Sequence, residues 1–207
     1  GYILLLDALD AYNQHLVKKI AAIQEKMDAK RLIVASHIHA GDGNCHVNIP
    51  VNSNDAEMLR LEELAEIGGA AVALGVRKIR LTGGEPLVRR GLLDLCRSLS
   101  ALPGLSELCL TTNGAQLSRF AAPLRAAGVS RLNISLDTLQ PEKFAYLTRR
   151  GNLQDTLDGI AAAEAADFDR LKLNCVLMGG VNDDEIGDFL RLTEERPWEV
   201  RFIELMP

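Results

Sequence analysis

From about Met58 onward, short apolar runs alternate with helical stripes, and each run ends in polar residues. The runs are "VRKIRLTGGEP", "SELCLTTNG", "VSRLNISLD", "RLKLNCVLM" and "EVRFIELMP". Between them apolar residues recur at helical spacing: Leu61, Leu64, Ile67, Ala71 and Leu74, then Leu92, Leu95, Cys96, Leu99 and Leu102. Leu117, Phe120 and Leu124, then Leu153, Leu157 and Ile160, then Ile186, Phe189 and Leu190 continue the pattern. Five strands alternating with amphipathic helices predict a parallel α/β sheet joined by right-handed crossovers. A (βα) barrel, whole or partial, fits best, and a doubly wound open sheet is the alternative.

The polar residues collect where strands end: Thr82-Gly83-Gly84-Glu85, Thr111-Thr112-Asn113-Gly114, Ser135 and Asp137, Asn174, and Glu204. A single polar tip is most simply a turn or a helix cap. Successive tips of a parallel barrel share one rim, where such folds build their sites. At this rim Gly83 and Gly84 let a ligand approach backbone N–H groups closely. Glu85 is suited to an ammonium group, and Pro86 fixes the turn. Arg80 and Lys172 lie within strands, where a cation is costly unless an anion meets it. Arg89, Arg90 and Arg201 add positive charge, so a polyphosphate suits the cluster; salt bridges to Glu85, Asp137 and Glu204 are the plainer alternative.

Composition narrows the partners. The chain of 207 residues carries a net charge of −5, which argues against a broad nucleic-acid surface or an anionic-membrane surface. No apolar run approaches a membrane span, and no cleavable signal is visible. The sequence opens on Gly1, so its natural start is expected to lie upstream. The four cysteines, Cys45, Cys96, Cys109 and Cys175, stand apart from one another and form neither a disulfide framework nor a CxxC metal site. Buried thiols in a reducing, cytoplasmic compartment are the expectation.

Taken together, "VRKIRLTGGEPLVRR", "LTTNG", "RLNISLDTL", "KLNCVLMGGVNDDE" and "VRFIELMP" resemble the GTP 3′,8-cyclases, radical S-adenosylmethionine (SAM) enzymes of molybdenum cofactor biosynthesis. The resemblance runs from about residue 57 to residue 207 and implies a partial (βα)6, TIM-like barrel lacking its first strand. It implies SAM against Gly84, Ser135 and Met206, with Glu85 as partner of the SAM ammonium. It implies GTP against Arg80, Thr111 and Lys172, with Arg201 the lesser candidate. In the family a 4Fe–4S cluster held by a CxxxCxxC loop cleaves SAM to start the radical reaction. No such cysteine triplet occurs in this sequence, so no catalytic residue is assigned and the chain as it stands is expected to be inactive.

Residues 1–56 read differently. Leu5, Leu9, Tyr12, Leu16, Ile20, Ile23 and Met27 form one long helical stripe, and the strand "RLIVAS" precedes "HIHAGDGNCHVNIPVNSND". That stretch resembles the C-terminal domain of FAD-linked oxidases of the D-lactate and D-2-hydroxyglutarate dehydrogenase group. The resemblance implies His39 and His46 as ligands of a divalent metal. The expected later acid is missing, so the site is incomplete, and neither a stable metal nor FAD is expected; a tight turn between two strands is the plainer reading. A joint between two incomplete families is expected near Asp55–Met58, as in a chimera or a rearranged gene. Two further readings follow: a fragment of a flavin-linked 2-hydroxyacid dehydrogenase, or a non-catalytic nucleotide-binding barrel. A barrel without its first strand exposes a sheet edge through which copies could associate.

Overall fold

The computed structural model describes residues 35–39, 44–48, 61–149 and 151–205. The long stripe from Leu5 to Met27, the Gly-rich turn at 40–43, the boundary cluster at 52–55 and Met206 lie outside the described residues. The chain forms two compact units, Gly1–Arg60 and Leu61–Pro207.

In the first unit, β1 (Ala35–His39) pairs antiparallel with β2 (Asn44–Asn48). Of the strand expected over 31–36, Ala35 and Ser36 lie in β1, and residues 31–34 lie outside the described residues. In the register His37 lies opposite His46, and His39 lies opposite Asn44.

The second unit alternates as its sequence pattern requires. Its elements are α1 (Leu61–Ala73), β3 (Lys78–Leu81), α2 (Leu92–Ser100), β4 (Glu107–Thr112), α3 (Leu117–Ala126), β5 (Arg131–Ser135), α4 (Pro141–Thr148), α5 (Leu153–Ala165), β6 (Arg170–Leu177), α6 (Ile186–Glu195) and β7 (Glu199–Glu204). The five strands pair in the order β3-β4-β5-β6-β7, all parallel. A doubly wound sheet reverses its strand order at a switch point. This sheet never does, and the doubly wound alternative is set aside for a singly wound, barrel-type sheet.

Alternation along each strand sorts the side chains to two faces. Ile79, Leu81, Leu108, Leu110, Leu132, Ile134, Leu171, Leu173, Cys175, Val200 and Phe202 belong to one apolar core with the helices. From the helix side Leu95, Cys96, Leu99, Leu117, Leu124, Ile160 and Phe189 complete it, all buried. Two residues of the helical stripes are exposed, Leu157 at 37% and Leu190 at 50%. Each lies at the margin of its helix's apolar stripe, where the arc turns toward water.

Helix α4 carries no long apolar stripe and is a structural addition to the sequence reading. It starts with Pro141 in its first turn, where a missing N–H does no harm, and it buries Phe144. Two glycines set close approaches. Gly91, before α2, has φ +74°, and a Cβ there would stand 2.2 Å from Leu61 Cδ1. On α5, a Cβ at Gly159 would stand 2.1 Å from the Gly114 carbonyl oxygen, so the helix packs directly on the turn that follows β4.

Candidate functional site

The second face of the sheet is polar. The strand register arranges it in rows across the strands. Lys78 lies beside Glu107; Arg80, Cys109, Arg131 and Arg170 form the next row. Thr111, Asn133, Lys172 and Glu199 follow, and then Ser135, Asn174 and Arg201. A shallow cavity of about 40 Å³ opens on the middle rows, lined by Lys78, Arg80, Cys109, Asn133, Arg170 and Lys172 among others.

The cations Lys78, Arg80, Arg131, Arg170, Lys172 and Arg201 outnumber the carboxylates on this face, Glu107 and Glu199. Glu107 pairs with Lys78 and with Arg131 at 3.0 Å, and Cys109 Sγ donates to it at 2.9 Å. Burial works against the charged carboxyl, but the Cys109 and Lys78 hydrogen bonds and the Lys78 and Arg131 charges outweigh it and hold its pKa below the ordinary value. Burial first, then the bond to Glu107, pushes the Cys109 thiol up to about 11. Lys172 reaches Glu199 at 2.5 Å, and that hydrogen bond is the main cause of the lowered Glu199 pKa. The surplus positive charge makes this face a place for an anion.

The rim above the polar face is built by short polar links between successive tips. Glu85 precedes the 3₁₀ turn Pro86–Val88, and its Oε1 accepts from Leu87 N at 3.1 Å and from Thr112 Oγ1 at 2.7 Å. Its Oε2 accepts from Asn113 N at 2.8 Å. The β3 tip is thereby tied to the β4 tip. Nothing lies within 4 Å of a Cβ built at Gly83 or Gly84, so the backbone beside Glu85 is open to a ligand.

On the far side, buried Asn182 and Glu185 join the β5 and β6 tips. Asn182 Nδ2 donates to the Asp137 carbonyl at 2.6 Å and the Val176 carbonyl at 2.8 Å, while its Oδ1 accepts from Met178 N at 2.8 Å. Glu185 accepts from Thr138 Oγ1 and Leu139 N, each at 2.6 Å, and pairs with Lys143 at 3.1 Å. Asp137 Oδ1 accepts from Val176 N at 2.8 Å; burial still raises its pKa above the ordinary value.

The sequence profile of the Radical SAM superfamily matches residues 43–193. The chain belongs to the radical SAM superfamily. GTP 3′,8-cyclase of Pseudomonas entomophila is 59% identical over 151 residues, covering 73% of this chain and 45% of that protein. GTP 3′,8-cyclase of Pseudomonas syringae pathovar syringae is 58% identical over 151 residues, covering 73% of this chain and 46% of that protein. The chain thus spans about half the length of the curated relatives it matches. The FeFe-hydrogenase maturase HydG is similar in fold, with a TM-score of 0.58 at 14% identity over 82% of this chain and 39% of HydG. That likeness carries the partial TIM-like barrel. The resemblance of residues 1–56 to FAD-linked oxidases finds no support: the radical SAM match itself begins at residue 43, inside that segment.

Within this radical SAM sheet, Arg80, Thr111, Ser135, Lys172 and Arg201 come together on the polar face, with Gly84 and Glu85 at its rim. Met206 lies outside the described residues, and so do the side chains of His39 and His46. Three of the four lone-pair sites of the Glu85 carboxylate are taken by protein donors, which leaves it one for a ligand. Arg80 has no ion-pair partner among the described residues, whereas Lys172 has Glu199. Sequence reasoning missed Lys78, Glu107, Arg131, Asn133 and Arg170 as members of this face. The period-two alternation in "KIRL", "ELCL" and "RLNIS" could have found them. It also passed over Asn182 and Glu185, although both stand in the quoted "GGVNDDE".

Radical SAM enzymes use SAM together with a 4Fe–4S cluster. The cysteines described here do not suit that cluster. Cys96 and Cys175 are buried in the helix-side core and Cys109 is buried in the sheet. Burial raises all of their pKa values, to about 11 for Cys96 and about 12 for Cys175. Among the described residues no group of three or more His, Cys, Asp or Glu side chains could hold a metal.

Proposed function

We propose that the chain is the barrel portion of a GTP 3′,8-cyclase, a lyase-class protein of molybdenum cofactor biosynthesis, with GTP on its polar face and SAM at its rim. The observation that carries this reading is the cationic row structure: Arg80 and Lys172 flank Thr111 and Asn133 on a sheet whose sequence is 56–59% identical to proteins of that name. Arg80, Lys172 and Arg201 would meet the triphosphate, and Thr111 a neutral oxygen beside it. SAM would lie against the open backbone at Gly84, with Ser135 and Met206 as further contacts and the free site of Glu85 on its ammonium. The buried Oδ1 of Asn174, which has no hydrogen-bond partner among the described residues, fits a polar ligand at the same rim. SAM supplies the radical precursor in such enzymes, and in this chain no step is assigned beyond binding, because the described cysteines do not fit the cluster. His39 and His46 remain the candidate pair for a divalent metal in the first unit, incomplete as a site.

Calorimetric titration of the full chain with GTP and with SAM tests this reading. Binding of both in the micromolar-to-millimolar range supports it. Lys172→Ala should weaken GTP by about tenfold through the lost charge-assisted hydrogen bond and leave SAM nearly unchanged. Failure of the wild-type chain to bind either ligand at millimolar concentration would favour a non-catalytic barrel.

A further inference from the structure

The buried polar side chains of the second unit are Thr112, Asn133, Thr138, Thr156, Asn182 and Glu185. Thr112 donates to Glu85, Thr138 to Glu185 and Thr156 to the Asn113 carbonyl. Asn182 makes the links described above. Asn133 differs. It is 5% exposed, it lines the cavity, and no protein group among the described residues hydrogen-bonds its amide. Its Oδ1 and Nδ2 are not among the sealed polar atoms that lack a partner, so the amide opens onto the cavity. Asn is also a poor strand residue, and here it sits between Leu132 and Ile134 in the middle of a central strand. Neither sheet formation nor packing accounts for it, and a residue that breaks the local rule without a structural return points to a ligand.

Its position says which part of a ligand. Asn133 lies in register between Thr111 on β4 and Lys172 on β6. The row on its N-terminal side is the cationic one, Arg80, Arg131 and Arg170. The row on its C-terminal side is Ser135 and Asn174, with Arg201 at its β7 end. Three cations lie in the row below Asn133, whereas its nearest neighbours in the row above are the neutral Ser135 and Asn174, with Arg201 one strand farther on. The greater part of an anionic group therefore belongs below, and hydroxyl-bearing groups belong directly above. A primary amide suits that boundary, because it donates to a phosphate oxygen and accepts from a hydroxyl. We propose that Asn133 is a substrate-contacting residue that hydrogen-bonds the phosphate–sugar junction of a nucleoside triphosphate on the polar face. This rests on the GTP reading above.

The test compares wild type, Asn133→Leu and Asn133→Asp in the full chain, by calorimetric titration with GTP and with SAM and by thermal denaturation without ligand. Leu keeps the branched shape and the number of heavy atoms and removes both hydrogen-bonding groups. Asn133→Leu should weaken GTP by about tenfold or more and leave SAM unchanged, with cooperative thermal unfolding retained. Asn133→Asp should weaken GTP further, since it sets a carboxylate beside phosphate. Should Asn133→Leu fail to fold, Asn133→Ala, which only removes atoms, carries the same expectation for GTP against SAM. Unchanged GTP affinity in Asn133→Leu overturns the proposal and leaves the GTP reading standing. Equal loss of GTP and SAM with a lower melting temperature also overturns it, by making Asn133 a fold residue. If the wild-type chain binds no GTP at millimolar concentration, the GTP reading itself falls, and the inference with it.

Discussion

Glu107 shows how a single residue can be set by its neighbours against its own burial. Its carboxyl faces Lys78, Arg131 and the Cys109 thiol, and their combined effect lowers its pKa although burial opposes this. A carboxyl whose folded-state pKa is lowered adds stability at any pH above its unfolded value, 4.5, and that stability is lost as the pH falls through the folded value. Glu107→Gln should therefore be less stable than wild type at neutral pH, and the gap should narrow at about pH 3. Urea titrations at the two pH values measure it. A gap that persists in acid would assign the loss to packing instead of charge. The three described cysteines make the converse case. All have raised pKa values through burial, so the folded chain should resist alkylation at neutral pH and react fully in denaturant, as read by mass spectrometry.

At the scale of elements, strands and helices were readable because their apolar periods are long and regular. The loops were not. Asn182 and Glu185 stand in a polar stretch that reads as solvent-facing, yet both are buried, with their polar atoms occupied by the tips of β5 and β6. Their role depends on which backbone groups another loop leaves unpaired, which no local pattern reports. Asn182→Ala should cost about 3 kcal/mol, from three buried hydrogen bonds at roughly 1 kcal/mol each. Equilibrium urea unfolding measures that loss; a change under about 0.5 kcal/mol would mean that water replaces the amide. Helix α4 escaped notice for a related reason. It is short, and its anchor is a single Phe144 instead of a stripe.

For the whole molecule, strand order separates the two faces of the sheet. Because β3 to β7 pair in sequence order, the helices and the apolar residues collect on one face, and the charged residues are left on the other. The same order leaves β3 and β7 each paired on one side only among the described residues. An edge of that kind is a template for another strand. Sedimentation velocity should show association that grows with protein concentration, and a chain that stays monomeric up to about 100 μM would mean that the edges are covered.

Composition and period alone determined that this chain makes a parallel α/β sheet with polar strand tips, because alternation of period two and period 3.6 is a local property. The family resemblance carried by the motifs in linear order named Arg80, Thr111, Ser135, Lys172 and Arg201 as ligand contacts. Only the tertiary structure decided that these residues share one face in adjacent rows. It also decided that, among the described residues, Lys172 is ion-paired while Arg80 is not, that Glu85 ties two tips together, and that Asn133 turns an amide without a protein partner toward the cavity. Each of those facts depends on strand register between segments separated by a helix, and register is fixed by pairing and packing in space, not by the sequence near any one residue.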